Sequence, residues 1–259
     1  MLAHDFEEEM VHLPCIVQPK LNGVRAKWDF INQCFISRSG KLIPELCIPH
    51  LYEKMKSVDG FDLDGELFCQ GMPLQDIKGI LTQSRLETAP NAAMIDFHIF
   101  DIIQSDYCYR RLDKMQELYG NTTIQIVNSY IADSHEMLKT MDRIILDKGY
   151  EGIMIRNRMG LYVEGRSWNL MKLKPLIRIQ VQITGFIEGY GKFGGKLGAF
   201  LVQWDGKTFK IGGGNMSTAE RKEWWEDRHQ WLGKLIEIEY RELTIAGIPS
   251  QAQFKRFIT

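Results

Sequence analysis

QPKLNGVRAKWD, residues 18–29, sets Lys20 just before an Asn-Gly pair and Arg25 two residues after it. The residues leading in, CIVQPK, read as a short strand. GVRAKWD and the INQCFISRSG that follows alternate apolar and polar residues about a turn at Phe30 to Gln33, which predicts a hairpin. Asn-Gly favours a turn. The chain should therefore swing from a strand that ends at Lys20 into one that carries Arg25.

Outward from this stretch, LYEKMKSV has helical spacing, FDLDGELF is strand-like, and PLQDIKGILTQ reads as a helix opened by Pro73. MIDFHIFDII has the apolar density of a buried strand, RRLDKMQELYG is a helix stopped at Gly120, and IQIVNS is another strand. A helix from about Ser134 to Lys148 precedes the strands EGIMIRN and LMKLKP. Many strands with few candidate βαβ crossovers make an α+β fold. After Pro175 the texture changes. IQVQITGFIEG, KLGAFLVQWDG and KTFKIGGG are strand-rich, TAERKEWWEDRHQWL reads as one helix, and KLIEIEYREL and QFKRFI resume as strands. About five strands and a helix fit a small barrel of the oligonucleotide-binding type. The expected domains are 1–175 and 176–259, joined by a short hinge near Leu176.

At 259 residues and 44% hydrophobic composition the chain can bury a real core. No run of eighteen apolar residues appears, and the acidic start MLAHDFEEEM is unlike a secretion signal, so a cytoplasmic protein is expected, in the host cytoplasm if the source is viral. Five cysteines, none spaced as Cys-x-x-Cys, suggest packed thiols rather than disulfides or zinc ligands. The net charge of -1 hides an uneven distribution: from Arg156 to Lys196 eight basic residues face two acidic ones. Such a stretch is commonly a solvated surface, yet it also suits a polyanion.

Five stretches place charge in strand-like sequence: KLNGVR, SRSG, DGEL, EGIMIR and MKLK. Glu66 and Glu151 could hold a hard divalent cation, which takes carboxylate oxygens and keeps water and phosphate as its other ligands. Lys20, Lys172, Lys174, Arg25 and Arg38 could surround phosphates. Cations and a metal clamp are what phosphoryl or nucleotidyl transfer requires. There is no Walker-type loop. The glycines at 189, 191 and 194 lead into a strand and read as a hairpin tip, and no Ser-His-Asp order or histidine-ligand spacing stands out. Covalent catalysis by a lysine is the most economical account.

With these motifs in order, the chain resembles the covalent nucleotidyltransferases, and among them the small ATP-dependent DNA ligases of bacteria and phages. KLNGVR is similar to the family motif Lys-x-Asp-Gly-x-Arg; SRSG, DGEL, FHIFDI, EGIMIR and LMKLKP follow in family order, and the likeness continues through GYGKFGGKLGAFLV to QFKRF. The resemblance implies an adenylation domain of antiparallel sheets with flanking helices followed by the barrel, acting as a monomer on ATP, Mg2+ or Mn2+, and nicked duplex DNA. It implies that Lys20 takes AMP from ATP, with Arg25 and Glu66 near the ribose. Phe100 would stack on adenine, Gln18 would lie at its exocyclic edge, and Lys172 and Lys174 would hold the α-phosphate. Glu66 and Glu151 would serve the metal, Arg38 would receive the 5′-phosphate of the nick, and Arg166, Lys192 and Lys196 would contact nucleic acid. The barrel would cover the site and then rotate to grip the duplex.

Two departures stand out. Asn22 replaces the usual aspartate, and SQAQFKRFIT keeps only part of a final motif, Arg-x-x-Pro-x-Phe-x-Arg-x-Arg, whose role at the pyrophosphate leaving group Lys255 or Arg256 would have to supply. With Lys20 so near the start, no additional amino-terminal DNA-binding domain is expected. The alternatives are an RNA ligase or capping-type enzyme on the same lysine chemistry, or a nick-binding protein whose catalysis has lapsed.

Overall fold

Residues 20–23 carry the chain from one β-sheet to another. The structure, a computed structural model, describes residues 1–258 apart from 59, 83–86, 215, 242 and 245. Its chain divides into two compact units, Met1–Lys174 and Pro175–Thr259. In the first, the described elements are β1 (Leu2–Asp5), β2 (Cys15–Pro19), β3 (Val24–Asp29), β4 (Cys34–Ser37), β5 (Leu42–Ile43), α1 (Pro49–Lys56), β6 (Leu63–Phe68), α2 (Leu74–Ile80), β7 (Asp96–Ile102), α3 (Cys108–Tyr119), β8 (Gln125–Ile126), β9 (Tyr130–Ala132), α4 (His135–Asp147), β10 (Ile153–Asn157) and β11 (Arg166–Leu173). One sheet has the order β1-β11-β10-β2-β9 and the other β5-β4-β3-β6-β7-β8. All their pairings are antiparallel except β1 with β11 and β7 with β8.

Each sheet has its own core. Alternation along β3 turns Ala26 and Trp28 inward, where Trp28 meets Phe35 and Tyr52 at ring centroids 4.9 and 5.8 Å apart, under α1 and α2. The other sheet buries Val17, Ile153, Ile155 and Met171 against Leu138 and Ile145 of α4. Ser134 caps α4 by accepting the Met137 backbone N–H at 3.3 Å, so the sequence signal for that helix start is a real hydrogen bond.

The Asn-Gly pair is confined by space more than by turn geometry. A Cβ on Gly23 would stand 2.4 Å from the Leu67 carbonyl oxygen and 2.8 Å from Cγ of Glu66, so the crossing segment lies directly on β6. Gly152 is constrained twice, by φ +140° and by the Leu173 carbonyl oxygen 2.2 Å from its missing Cβ. The two glycines bring the KLNGVR and EGIMIR segments close to the strands that carry Glu66 and Lys172.

The second unit comprises β12 (Ile177–Glu188), β13 (Leu197–Trp204), β14 (Lys207–Ile211), β15 (Gly213–Gly214), α5 (Thr218–Glu226), α6 (Arg228–Trp231), β16 (Leu235–Tyr240) and β17 (Gln253–Phe257). The sheet order is β14-β13-β12-β16-β17-β15. Its two ends, β14 and β15, are separated by Gly212 alone, so the sheet curls until its edges meet at that corner. Phe200, Trp224 and Phe254 fill it, with Phe257 against them. Where one helix was expected, the chain breaks at Asp227, and α6 sets Trp231 on Phe257 at 4.0 Å between centroids. Six strands form rather than five, because the glycines at 213 and 214 make a short strand of their own beside β17.

Two further expectations differ in the first unit. IQIVNS is not one strand: β8 joins the second sheet for two residues, and the chain then crosses to pair as β9 with β2. The start of the chain, read only as acidic, forms β1 against β11. Gln83, read into the helix after Pro73, and Glu242, read into the strand from Lys234, lie outside the described residues.

Candidate active site

The two sheets of the first unit enclose a cavity of about 290 Å³. From the first sheet it is lined by Gln18 at the end of β2, Met154 and Arg156 of β10, and Arg166 and Lys172 of β11; from the second by Arg25 of β3, Asp64 and Glu66 of β6, and Phe100 of β7. Lys20 lies where the chain crosses between them, Arg38 follows β4, and Lys174 follows β11. Of the residues proposed from sequence, the cavity therefore gathers Gln18, Lys20, Arg25, Arg38, Glu66, Phe100, Arg166, Lys172 and Lys174. Lys192 and Lys196 belong to the second unit, in and after the turn between β12 and β13.

Glu151 does not line the cavity but joins two residues that do. Its carboxylate accepts from Lys20 on one oxygen and pairs with Lys174 through the other. Burial works against this charge, but the two ammonium groups and their hydrogen bonds outweigh it and hold Glu151 below the ordinary carboxylate range. The Glu151 backbone N–H also donates to the Lys20 carbonyl at 3.1 Å, which ties the two motifs through main chain as well. Glu66 has the opposite environment. Burial pushes its carboxyl up to about 7 despite the opposing charges of Lys20 and Arg25.

Arg25 is fixed as a fork on Asp64, with Nε 2.8 Å from one oxygen and Nη2 2.5 Å from the other. Asp64 is buried and also accepts the Tyr162 hydroxyl at 2.8 Å. Burial, then the Asp64 charge, keep that phenol far above its ordinary pKa, so Tyr162 stays protonated and donates to Asp64 while its oxygen accepts from the Met1 ammonium at 3.2 Å. The Gln18 amide donates to the Phe100 carbonyl at 3.2 Å and to Ser129 Oγ at 3.0 Å, while its oxygen accepts from Arg156. Arg156 also donates to the Phe100 carbonyl at 2.7 Å. The Phe100 ring faces the cavity, with guanidinium carbons of Arg25 and Arg156 6.0 and 5.9 Å from its centroid.

Sequence reasoning passed over Asp64, Arg156 and Tyr162. Asp64 was legible by the period of a strand, since it shares a face with Glu66 two residues on. Arg156 was counted with a basic surface, but it is 2% exposed and paired with Asp101. Nothing in the sequence marked Tyr162.

The model of the ATP-dependent DNA ligase domain matches residues 1–174, and that of the DNA ligase OB-like domain matches 188–257. The chain belongs to the ATP-dependent DNA ligase family. Among curated relatives, the DNA ligase of African swine fever virus (strain Badajoz 1971 Vero-adapted) is 30% identical over 279 residues, covering 96% of this chain and 64% of the viral protein. The present chain thus spans somewhat less than two thirds of that relative. The Haemophilus influenzae DNA ligase is 24% identical over 99% of this chain and 91% of its own. Among solved structures, a Lig E DNA ligase described as binding DNA with a minimal scaffold aligns over 99% of this chain and 98% of its own at TM-score 0.71 and 24% identity. A Chlorella virus DNA ligase-adenylate aligns over 100% of this chain and 97% of its own at TM-score 0.56 and 23% identity. These structures share the family's two-part α+β fold. No helix among the described residues is long and apolar enough to cross a membrane.

Proposed function

We propose that this member of the family seals 5′-phosphate/3′-hydroxyl nicks in duplex DNA with ATP as the AMP donor, through AMP held covalently on Lys20. The observation that carries this reading is the placing of Lys20 at the crossing between two sheets, in a cavity that also holds Arg25, Arg38, Lys172 and Lys174. A nucleophilic amine among cations, with an aromatic ring on one wall, matches a nucleoside triphosphate more closely than a neutral substrate.

The chemistry follows from the contacts. Lys20 must give up a proton before its nitrogen can attack, and Glu151 is the acceptor already bonded to it. The amine then forms a bond to the α-phosphorus as the bond to the β-phosphate oxygen breaks and pyrophosphate leaves. Lys172 and Lys174 would neutralise the equatorial oxygens. An oxygen of the nick 5′-phosphate next attacks that phosphorus and the Lys20 nitrogen leaves, regaining a proton. Finally the 3′-hydroxyl, losing its proton, attacks the 5′-phosphate and AMP departs. Arg38, exposed and without a polar partner among the described residues, would receive the 5′-phosphate, with Arg166, Lys192 and Lys196 as further phosphate contacts.

Phe100 would form the adenine platform and Arg25 and Glu66 the ribose wall. Gln18 would meet the exocyclic amine through its amide oxygen, which accepts from Arg156 and has a second lone pair, while its NH2 keeps its bonds to Phe100 and Ser129. No group of three or more His, Cys, Asp or Glu side chains able to hold a metal occurs among the described residues. Glu66 lines the cavity, whereas both Glu151 oxygens are held by Lys20 and Lys174. Mg2+ or Mn2+ would therefore take these two carboxylates only alongside nucleotide phosphate and water and only if Glu151 released a lysine, and would then offset phosphate charge. Mass spectrometry after incubation with ATP should show one added AMP, lost on challenge with nicked duplex. Label taken from GTP alone, or no adduct with nick binding retained, would favour the capping-type or lapsed alternative.

A further inference from the structure

A second cavity, of about 260 Å³, adjoins the first and shares Arg25 and Arg38 with it. Its own walls come from Lys27 of β3, Ile36 and Ser37 of β4, and Glu164 in the segment between β10 and β11. Lys27 follows Arg25 by two residues, so strand alternation puts both on one face and carries the positive surface of the first cavity onward. The three basic side chains are not equivalent. Arg25 is neutralised by buried Asp64, Arg38 has no polar partner among the described residues, and Lys27 meets Glu164 at 3.3 Å. The Glu164 side chain is 83% exposed, so this carboxylate reaches in from solvent.

We propose that the second cavity binds a phosphodiester of the nicked DNA strand, the one that follows the 5′-phosphate, with Lys27 as its cation and Glu164 as the carboxylate it displaces. The inference rests on the ligase reading above and extends it to a site that the adenylation chemistry does not use. A phosphodiester and a carboxylate each present one negative charge through oxygen, so one can replace the other on Lys27. An exposed ion pair of this kind is weak, because water screens both charges. A phosphate backed by both Lys27 and Arg38, and releasing the strand's counterions, therefore wins the exchange. In the free protein Glu164 offsets the charge of the cavity, so its removal strengthens DNA binding while removal of Lys27 weakens it.

The test uses the full chain already carrying AMP, with divalent metal withheld by EDTA, and measures affinity for 5′-phosphorylated nicked duplex across a salt series. Lys27→Gln is expected to weaken binding several-fold and to reduce the slope of log K against log salt by about one. Glu164→Gln is expected to tighten binding by up to about fivefold at low salt, an effect that fades as salt rises. In the double variant Glu164→Gln should gain nothing, because its effect passes through Lys27. A duplex whose first phosphodiester after the nick is a neutral methylphosphonate should bind wild type as weakly as Lys27→Gln binds the natural duplex, with no further loss for that variant. Equal binding of natural and methylphosphonate duplexes by wild type, or an unchanged salt slope for Lys27→Gln, would overturn the proposal while leaving the ligase reading intact. Failure of wild type to bind any nicked duplex would overturn both.

Discussion

Arg156 and Asp101 form an ion pair of 2.6 Å in which both side chains are almost wholly buried, and Arg111 closes on the other Asp101 oxygen at 2.8 Å. One carboxylate thus holds two guanidinium groups, one from β10 at the wall of the first cavity and one from α3. Removing it leaves two buried cations without a counterion, which costs more than the pair itself contributes. Asp101→Asn is expected to destabilise the first unit by about 3–5 kcal/mol, read from chemical denaturation. A loss below about 1 kcal/mol would show that water or another acceptor reaches these arginines.

Glu66 gives a pH signature. Its carboxyl is pushed up to about 7 in the folded chain from an ordinary value of 4.5, so the folded state holds a proton that the unfolded state releases across that window. Stability therefore falls as pH rises from about 4.5 through 7. Glu66→Gln removes this group, and its stability relative to wild type should rise over that window by at most about 3 kcal/mol. Denaturation of both proteins at pH 5, 6, 7 and 8 in metal-free buffer checks the difference, in which groups common to both cancel. A constant difference would mean that Glu66 is ionised throughout.

Lys20 and Glu151 act together in the proposed first step. Lys20→Ala should abolish the added mass of one AMP, and persistence of that adduct would remove Lys20 from its role. Glu151→Gln keeps the shape but loses both ion pairs, the one to Lys20 and the one to Lys174. Adduct formation should slow by about 10²-fold or more, the ordinary cost of a missing general base. A rate within threefold of wild type would assign Glu151 to packing alone.

The final motif reads differently in three dimensions. Phe254 is 3% exposed within the aromatic cluster of the barrel, while Lys255 pairs with Glu239 and Arg256 with Glu237. Phe254→Ala should cost the second unit about 3–5 kcal/mol. Arg256→Ala, on a largely exposed arginine, should change stability by less than about 1 kcal/mol, and Lys255→Ala, whose buried partner Glu239 keeps Arg178, should cost less than Phe254→Ala. Thermal unfolding ranks the three; equal losses would contradict the packing seen here.

How far the sequence could be read depended on the range of the interaction. α4 was legible because its signals are local, a serine cap and an apolar stripe within thirteen residues. β1 was not, because Leu2–Asp5 becomes a strand only by pairing with β11, more than 160 residues away. The same distinction runs through the cavity. Lys20 and Arg25 announce themselves within one short motif, while Asp64, Tyr162 and Arg156 acquire their roles from neighbours distant in sequence. A charged residue in a strand carries no mark of whether it faces water or a buried counterion.

Asn22 is the departure from the family motif that bears most directly on Lys20, and the structure weighs on it. Its side chain is exposed and does not line the cavity, while Gly23 beside it is held by contact with β6. An aspartate there would add charge in solvent, where its field at Lys20 is screened. Asn22→Asp should therefore change the rate of AMP transfer to Lys20 by less than about threefold, since a screened surface charge contributes no more than about 0.5 kcal/mol. Single-turnover adduct formation measures this at two salt concentrations. A tenfold rise at low salt that disappears at high salt would show instead that the missing charge acts on the nucleophile through space.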